Sequence, residues 1–313
     1  MTNQIPRHFS AFRGQLVQFY NLKPGQVFLD LTLGDGGHTE EVLQAGCRVV
    51  SIDVDESAIK RASDFLSPHF KPQILTADNL PLDFHLDTNW LIIQTNFSEI
   101  GSIAQKLNLP LFDGIMIDLG PSQYQVLSPE RGFSFLNDEP LDMRLDKSLG
   151  VTAKDLVNAL NEGELANLFN LADETWAKPI AKAIVKARLV SPLSTTKQLA
   201  DLIQRVKREP LGKVHPATKV FMALRMAVNL EREVIEMVFP QLINLLNSTG
   251  IAGIISFHSG EDKIVKNLIK EAEDKNLVTA INKKPYTPSL DELKISPRTR
   301  SAKLRLFRKH ISK

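Results

Sequence analysis

A single cysteine, Cys47, in 313 residues excludes an internal disulfide and a cysteine-rich zinc site, and fits a reducing cytoplasm. No apolar run approaches the roughly 20 residues a membrane helix needs, so no contact with a membrane is expected. The opening MTNQIPRHFSAFRG has no apolar signal core. Charge of one sign is also missing: 38 Lys and Arg stand against 36 Asp and Glu, a net +2. No global field then draws a polyanion, and any nucleic-acid contact must come from local patches. Internal repeats and low-complexity blocks are absent. What remains, 43% hydrophobic and 24% charged, describes one large or two smaller globular domains.

Several reaction classes fail for want of their motifs. There is no Gly-x-Ser-x-Gly elbow for a Ser-His-Asp hydrolase. His215, His258 and the acids show no tight ligand spacing, so no metal is expected. Thr39 stands where a G-x-G-x-x-G dinucleotide fingerprint needs its last glycine, which disfavours a nicotinamide-dependent dehydrogenase. No lysine follows the glycines as in a P-loop.

The stretch Val27–Asp55 is what is there. Val27–Leu33 is a β-forming apolar run that breaks into Gly34-Asp35-Gly36-Gly37-His38. Thr39–Leu43 continues as a helix, and a second run, Val49–Ile52, ends at Asp53. Strand, glycine turn, helix, strand and acid make one half of a nucleotide-binding α/β sheet. Glycines let a backbone approach a ligand closely, and an acid at the second strand's tip can accept from both hydroxyls of a ribose. Asp30 and Asp35 beside the turn suit a cationic, phosphate-free ligand such as S-adenosylmethionine. A plain β-α turn is the bland alternative.

Further along, a helix is expected over Phe12–Phe19 and another over Glu56–Leu66. The loop 67–89 is rich in Pro, Asp and Asn, with a short extra strand at Gln73–Thr76. Strands follow at Trp90–Thr95, Phe112–Leu119 and Ile251–Phe257, and final strands at Thr279–Lys284 and Ala302–Arg308. From about Gln125 to His215 only helical patterns recur, at 152–161, 162–171, 176–189 and 194–207, before an amphipathic helix Ala217–Leu246. The domains expected are therefore 1–125 with 216–313 as a discontinuous sheet domain, and 126–215 as an inserted helical domain. Ligands bind at the carboxyl ends of such strands, which gathers Gly34–His38, Asp53, Phe97, Asp118–Ser122 and His258 at one crevice.

Asp118-Leu119-Gly120-Pro121-Ser122 closes the fourth strand. A side chain and a carbonyl there can accept from an exocyclic NH₂ group and turn its lone pair toward a methyl donor, a reaction governed by positioning and electrostatics. Asp118, Ser122 and His258 are the candidate catalytic residues, although a capping acid and a locally bonded histidine are the ordinary alternatives. Phe97 offers an aromatic wall for an adenine. Lys178, Lys182 and Lys186 read first as a solvated helix face. The tail Lys294–Lys313, with eight Lys or Arg and no acid, reads equally as phosphate clamps or as a charged edge strand.

Longer motifs carry a resemblance. Pro129–Phe135 with Pro140–Arg144, His215–Thr218, Ala223–Arg225 with Val228-Asn229, Ser256–Ser259 with Glu261-Asp262, and Pro297-Arg298 with Arg300–Arg305 together resemble the ribosomal RNA small-subunit methyltransferase H family, also called MraW. The likeness runs from Lys23 to Arg308. It implies a Rossmann-like class I methyltransferase sheet with an inserted helical substrate-recognition domain. It implies S-adenosylmethionine as cofactor, and N4 of one cytidine in the decoding region of small-subunit ribosomal RNA, free or in the assembled subunit, as target. By motif position the cofactor contacts fall on Gly36, Gly37, His38, Asp53, Phe97, Asp118 and Gln125, beside Gly34 from the glycine turn itself. Arg131, Arg144, His215, Arg225 and Asn229 are the expected substrate side. The oligomeric state, a dimer included, stays open. Departures at His8–Phe12, Gly120–Gln125, Asn247–Gly250 and Ser259–Asp262 bear on target choice more than on cofactor binding. Two rivals stand beside this reading: a methyltransferase of the same class acting on another RNA or on DNA, and a non-catalytic ribosome-assembly factor that keeps the fold.

Overall fold

The computed structural model describes residues 9–129, 131–208 and 215–310. They form two compact units, one from 9–120 and 232–310 and the other from 121–231.

The apolar runs of the first unit become eight strands: β1 (Val27–Asp30), β2 (Arg48–Asp53), β3 (Gln73–Thr76), β4 (Trp90–Gln94), β5 (Phe112–Asp118), β6 (Leu246–Ser256), β7 (Val278–Ala280) and β8 (Lys303–Lys309). They lie in one sheet in the order β3-β4-β2-β1-β5-β6-β8-β7. Pairing is parallel from β3 through β6, and β8 then runs antiparallel to both β6 and β7. The central strands read as continuous apolar runs because both faces are covered. Alternation divides them: Val27, Leu29, Val50, Ile52, Leu91 and Ile93 enter one core, and Phe28, Val49, Trp90, Ile92 and Met116 the other.

On the second face pack α1 (Leu16–Phe19), α2 (Gly37–Gln44) and α3 (Glu56–Leu66), through Leu16, Val42, Ile59, Ala62 and Leu66. On the first pack α4 (Ile100–Lys106), α11 (Glu231–Leu245) and α12 (Ser259–Asp274), through Ile103, Ile235, Leu242, Val265 and Ile269. A short α13 (Leu290–Ile295) precedes β8.

The second unit is helical: α5 (Gln123–Leu127), α6 (Ala153–Ala159), α7 (Glu162–Asn170), α8 (Ala177–Arg188), α9 (Thr196–Lys207) and α10 (Thr218–Val228). Reciprocal capping pairs, Thr152 with Asp155, Asn161 with Glu164 and Thr195 with Gln198, start α6, α7 and α9. Leu165, Phe169, Ile180, Ile184, Leu199 and Ile203 build a core of its own.

The compact helical unit is wider than 126–215. The single helix expected over Ala217–Leu246 is broken at Asn229-Leu230, where Leu230 takes φ 48°. Val220, Phe221, Leu224 and Val228 of α10 belong to the helical core, while Ile235, Val238 and Leu242 of α11 belong to the sheet. Neither Gly nor Pro marks the break, so the helical period runs unbroken across it. At the other end, the helix expected from Phe12 begins only at Leu16, because Phe12 itself sits at φ 59°. Among the described residues no helix is long and apolar enough to cross a membrane.

Candidate active site

Register places Asp30, Asp53, Asp118 and Ser256 at the carboxyl ends of β1, β2, β5 and β6. Asp30, which no solvent reaches, accepts from Thr39 Oγ1 at 2.7 Å and from the Thr32 amide at 3.1 Å. The Thr32 hydroxyl in turn accepts from the Asp118 amide at 2.7 Å. Behind Thr39 the bonds continue to Ser51 Oγ at 2.9 Å and from Trp90 Nε1 to Ser51 at 3.1 Å. Because indole only donates and Thr39 already donates to Asp30, Ser51 must donate to Thr39. The chain Trp90, Ser51, Thr39, Asp30 is therefore polarised in one direction and ends on a carboxylate. Asp30 thereby ties the glycine-turn helix to the tip of β5.

The glycine turn is held from below by Asp53, whose two oxygens accept from the Gly34 amide at 2.8 Å and the Asp55 amide at 2.9 Å. Gly36, with φ 76°, enters α2 in the left-handed region that a side chain resists. A Cβ there would sit 3.1 Å from Leu66 and 3.2 Å from Ala62, and one on Gly37 would meet the Ser10 hydroxyl. The missing side chains thus make room for α3 and for the N-terminal segment. What these glycines offer a ligand is their backbone. His38 is buried and donates from Nε2 to the Ala11 carbonyl at 2.8 Å. That tautomer, assigned from the carbonyl partner, leaves Nδ1 bare, 4.0 Å from Asp118 Oδ2. Burial lowers the His38 pKa, so the two do not form an ion pair.

Burial dominates the electrostatics. It raises Asp30 and Asp53 to about 6 each and Asp118 well above the usual carboxylate range, with Asp30 adding to the rise of the other two. Asp118 Oδ1 is buried without a hydrogen-bond partner, as is the Tyr20 hydroxyl, whose proton burial and the charges of Asp30 and Asp118 hold on. Such a nest of desolvated acids favours a cation. Phe97, half-buried, opens a 3-10 turn (Phe97–Glu99) just beyond β4, beneath an Asn96 side chain that caps it. His258 caps α12: its Nδ1 accepts from the Glu261 amide at 3.3 Å, and Nε2 lies 3.0 Å from Glu261 Oε1, off the line of a hydrogen bond.

The remaining expected residues belong to the helical unit. Ser122 and Gln125 form the capping box of α5, with bonds of 2.9 and 3.2 Å. Arg144 grips Asp142 through two bonds of 2.8 and 2.9 Å, and Arg225 grips Glu231 at 2.7 and 2.9 Å. Asn229 accepts from the Leu145 amide at 2.7 Å and donates to the Met143 carbonyl at 2.8 Å, and Arg131 donates to the Leu145 carbonyl at 3.4 Å. His215 stacks on Phe135 at 4.4 Å. Arg131, Arg144, Asn229 and His215 shape one loop, 131–149, against the end of α10. Sequence reasoning missed Thr32, Thr39, Ser51 and Tyr20, since a hydroxyl has no spacing rule of its own.

The residues gathered at the strand tips suit the methyl donor that the glycine turn suggests: backbone amides, buried acids with no cation beside them and an unpartnered carboxylate oxygen match a ligand bearing an ammonium and a sulfonium. The profile of the MraW methylase family matches residues 6–310. The ribosomal RNA small subunit methyltransferase H of Sulfurihydrogenibium sp. (strain YO3AOP1) is 38% identical over 96% of this chain and 99% of that protein. Its namesake in Gloeothece citriformis (strain PCC 7424) is 40% identical over 96% and 93%. Among solved structures, an rRNA methylase from Streptococcus thermophilus aligns over 96% of this chain and 100% of that one, at 11% identity and TM-score 0.41.

Proposed function

Because this chain belongs to the MraW methylase family, we propose that it methylates small-subunit ribosomal RNA at the N4 amine of one cytidine in the decoding region. S-adenosylmethionine is the methyl donor. When bound it supplies a methyl carbon on a sulfonium, already electrophilic, so the protein need only hold, orient and desolvate.

The geometry of the sheet unit supports a role for each residue. Asp53, fixed by the Gly34 and Asp55 amides, keeps free lone pairs for a ribose diol. The amides of the Gly34–His38 turn and the charge of Asp30 suit the amino-acid end, and Phe97 the adenine. Asp118 is the residue on which the reading turns. Its buried, unpartnered Oδ1 is the acceptor an exocyclic NH₂ requires. A hydrogen bond from that NH₂ rotates the nitrogen lone pair out of conjugation and leaves an acceptor for the proton that departs after transfer. A raised pKa serves this end, since a carboxylate reluctant to stay ionised takes up a proton readily. The target base must leave its stack to reach such a buried atom. In the helical unit the loop 131–149 and His215 are the proposed substrate side.

The single observation supporting methyl transfer to an amine is that orphaned oxygen at the tip of β5. Labelled S-adenosylmethionine offered with assembled small subunits, naked ribosomal RNA or duplex DNA tests the substrate. Label in the ribosomal RNA is expected; label in duplex DNA alone would end this reading.

A further inference from the structure

The basic tail splits in two. Lys303 and Arg305 are committed to the fold: they bind Asp262 of α12, Lys303 at 3.2 Å and Arg305 at 2.7 and 3.2 Å. Lys294 pairs with Asp291 at 2.7 Å. Arg298 and Arg300, on the 3-10 turn Pro297–Ser301 that leads into β8, are exposed and make no ion pair or side-chain hydrogen bond to any described residue. The ammonium groups of Lys283 and Lys284 are likewise exposed and without an ion pair or hydrogen bond to any described residue, although the Lys283 carbonyl accepts from Arg305 at 3.5 Å.

These four cations are neighbours by topology. The segment 282–286 is zipped to β8: Asn282 bonds the Leu306 amide at 2.7 Å and the Leu304 carbonyl at 3.0 Å, and Tyr286 exchanges two backbone bonds of 2.9 Å with Leu304. Leu304 lies three residues beyond the 3-10 turn that carries Arg298 and Arg300. Tyr286, stacked on Phe19 at 4.8 Å, still exposes 39% of its surface among them. Over 281–300 five Lys or Arg face only two acids. One of those acids is paired with Lys294, and the other, Glu292, is buried and accepts from the Phe12 amide at 2.9 Å.

The cluster also lies at the functional end of the sheet. Because β8 is antiparallel, its first residues stand beside the last residues of β6, Lys303 opposite Ser256 and Leu304 opposite Ile255; Ile255 in turn pairs with Asp118. Leu304 is thus two strands from Asp118, about 10 Å at ordinary strand spacing. Grooves for single-stranded nucleic acid cover roughly 4–16 nucleotides and combine unpaired cations with exposed aromatic rings. We infer that Lys283, Lys284, Arg298 and Arg300 form a rim that clamps the phosphates of the RNA strand flanking the base delivered to Asp118.

This inference rests on the proposed RNA substrate, and the test separates the two. A fluorescent single-stranded ribosomal RNA fragment is titrated by anisotropy across a salt series. The proteins are the unmodified chain, the quadruple variant Lys283→Gln, Lys284→Gln, Arg298→Gln, Arg300→Gln, and a charge-matched control, Lys106→Gln, Lys266→Gln, Lys270→Gln, Lys275→Gln, at exposed positions elsewhere. Each lost phosphate contact removes about 0.7 from the slope of log K against log salt. The rim variant should therefore lose about 2–3 from that slope and at least about tenfold in affinity at 0.1 M salt, with the control unchanged. Calorimetric affinity for S-adenosylmethionine, equal in all three proteins, certifies the fold. A rim variant that keeps the unmodified slope, or a control that loses as much, overturns the inference alone. Failure of the unmodified chain to bind the RNA overturns both the inference and the functional reading.

Discussion

Thr39→Val is the sharpest probe of the buried chain beneath the site. The substitution is nearly isosteric and removes one hydroxyl, the donor to Asp30 at 2.7 Å and the acceptor for Ser51 at 2.9 Å. A hydrogen bond to a charged group contributes about 1.5–3 kcal/mol, and a buried partner left unmade adds its own desolvation cost. The sheet unit should lose about 2–3 kcal/mol at pH 7, where Asp30, with a pKa near 6, is ionised. At pH 5 Asp30 is protonated in the unmodified protein as well, so the charge-dependent part vanishes and the loss should shrink to about 1 kcal/mol. Trp90 lies in the chain of bonds and Trp176 in the helical unit, and these are the two tryptophans present. Urea unfolding followed by fluorescence in a Trp176→Phe background therefore reads the sheet unit by itself. A loss below about 0.5 kcal/mol, or one of equal size at both pH values, would refute the polarised chain.

Donor binding should be pH-dependent with a definite sign. Asp30 and Asp53 have pKa values raised to about 6, and a bound cation favours their ionised forms. Binding then expels protons, and calorimetric affinity for S-adenosylmethionine should fall about tenfold per group between pH 7 and pH 5; a flat profile contradicts the acid nest. Asp118→Asn should lower kcat by about 10²–10³, keep donor affinity within a few-fold, and stabilise the fold at neutral pH, because a raised carboxyl pKa means that the ionised form is held at a cost there. Unchanged single-turnover rates would remove Asp118 from the chemistry. Gly36→Ala combines φ 76° with contacts of 3.1 and 3.2 Å, and should cost about 1–3 kcal/mol by urea unfolding; a neutral variant would show that the turn relaxes freely.

The sheet was legible because its strands are buried on both faces: runs such as Trp90–Gln94 and Phe112–Asp118 admit little else. Even the short β3 at Gln73–Thr76 stood out between turn-forming residues. The break at Asn229-Leu230 did not, because α10 and α11 share one helical phase while facing different cores, and phase says nothing about which core. The site was legible where backbone chemistry demanded a residue type, as at Gly36 and Asp53. It was less so where a side chain's role depends on its partner. His258 and Ser122 read from sequence as reacting groups; His258 Nδ1 and Ser122 Oγ each accept from a helix-capping amide, and His258 Nε2 keeps no hydrogen-bond partner. Arg144 and Asn229 read as substrate contacts and brace the loop 131–149, and Arg225 pairs with Glu231. Asp30 drew notice only as a charge near the turn, and Thr39 only as a glycine that was missing. Their bond, and the reach of Thr32 to Asp118, exist only once β1, α2 and β5 are side by side.

The account stands or falls on where the methyl group goes. Ribosomal RNA from cells with and without this gene, digested to nucleosides and mapped by mass spectrometry, reads that directly. A single cytidine of the small subunit that carries an N4-methyl group only when the gene is present is the predicted result. An unaltered cytidine inventory, or a gene-dependent methyl on a carbon or a ribose, contradicts it.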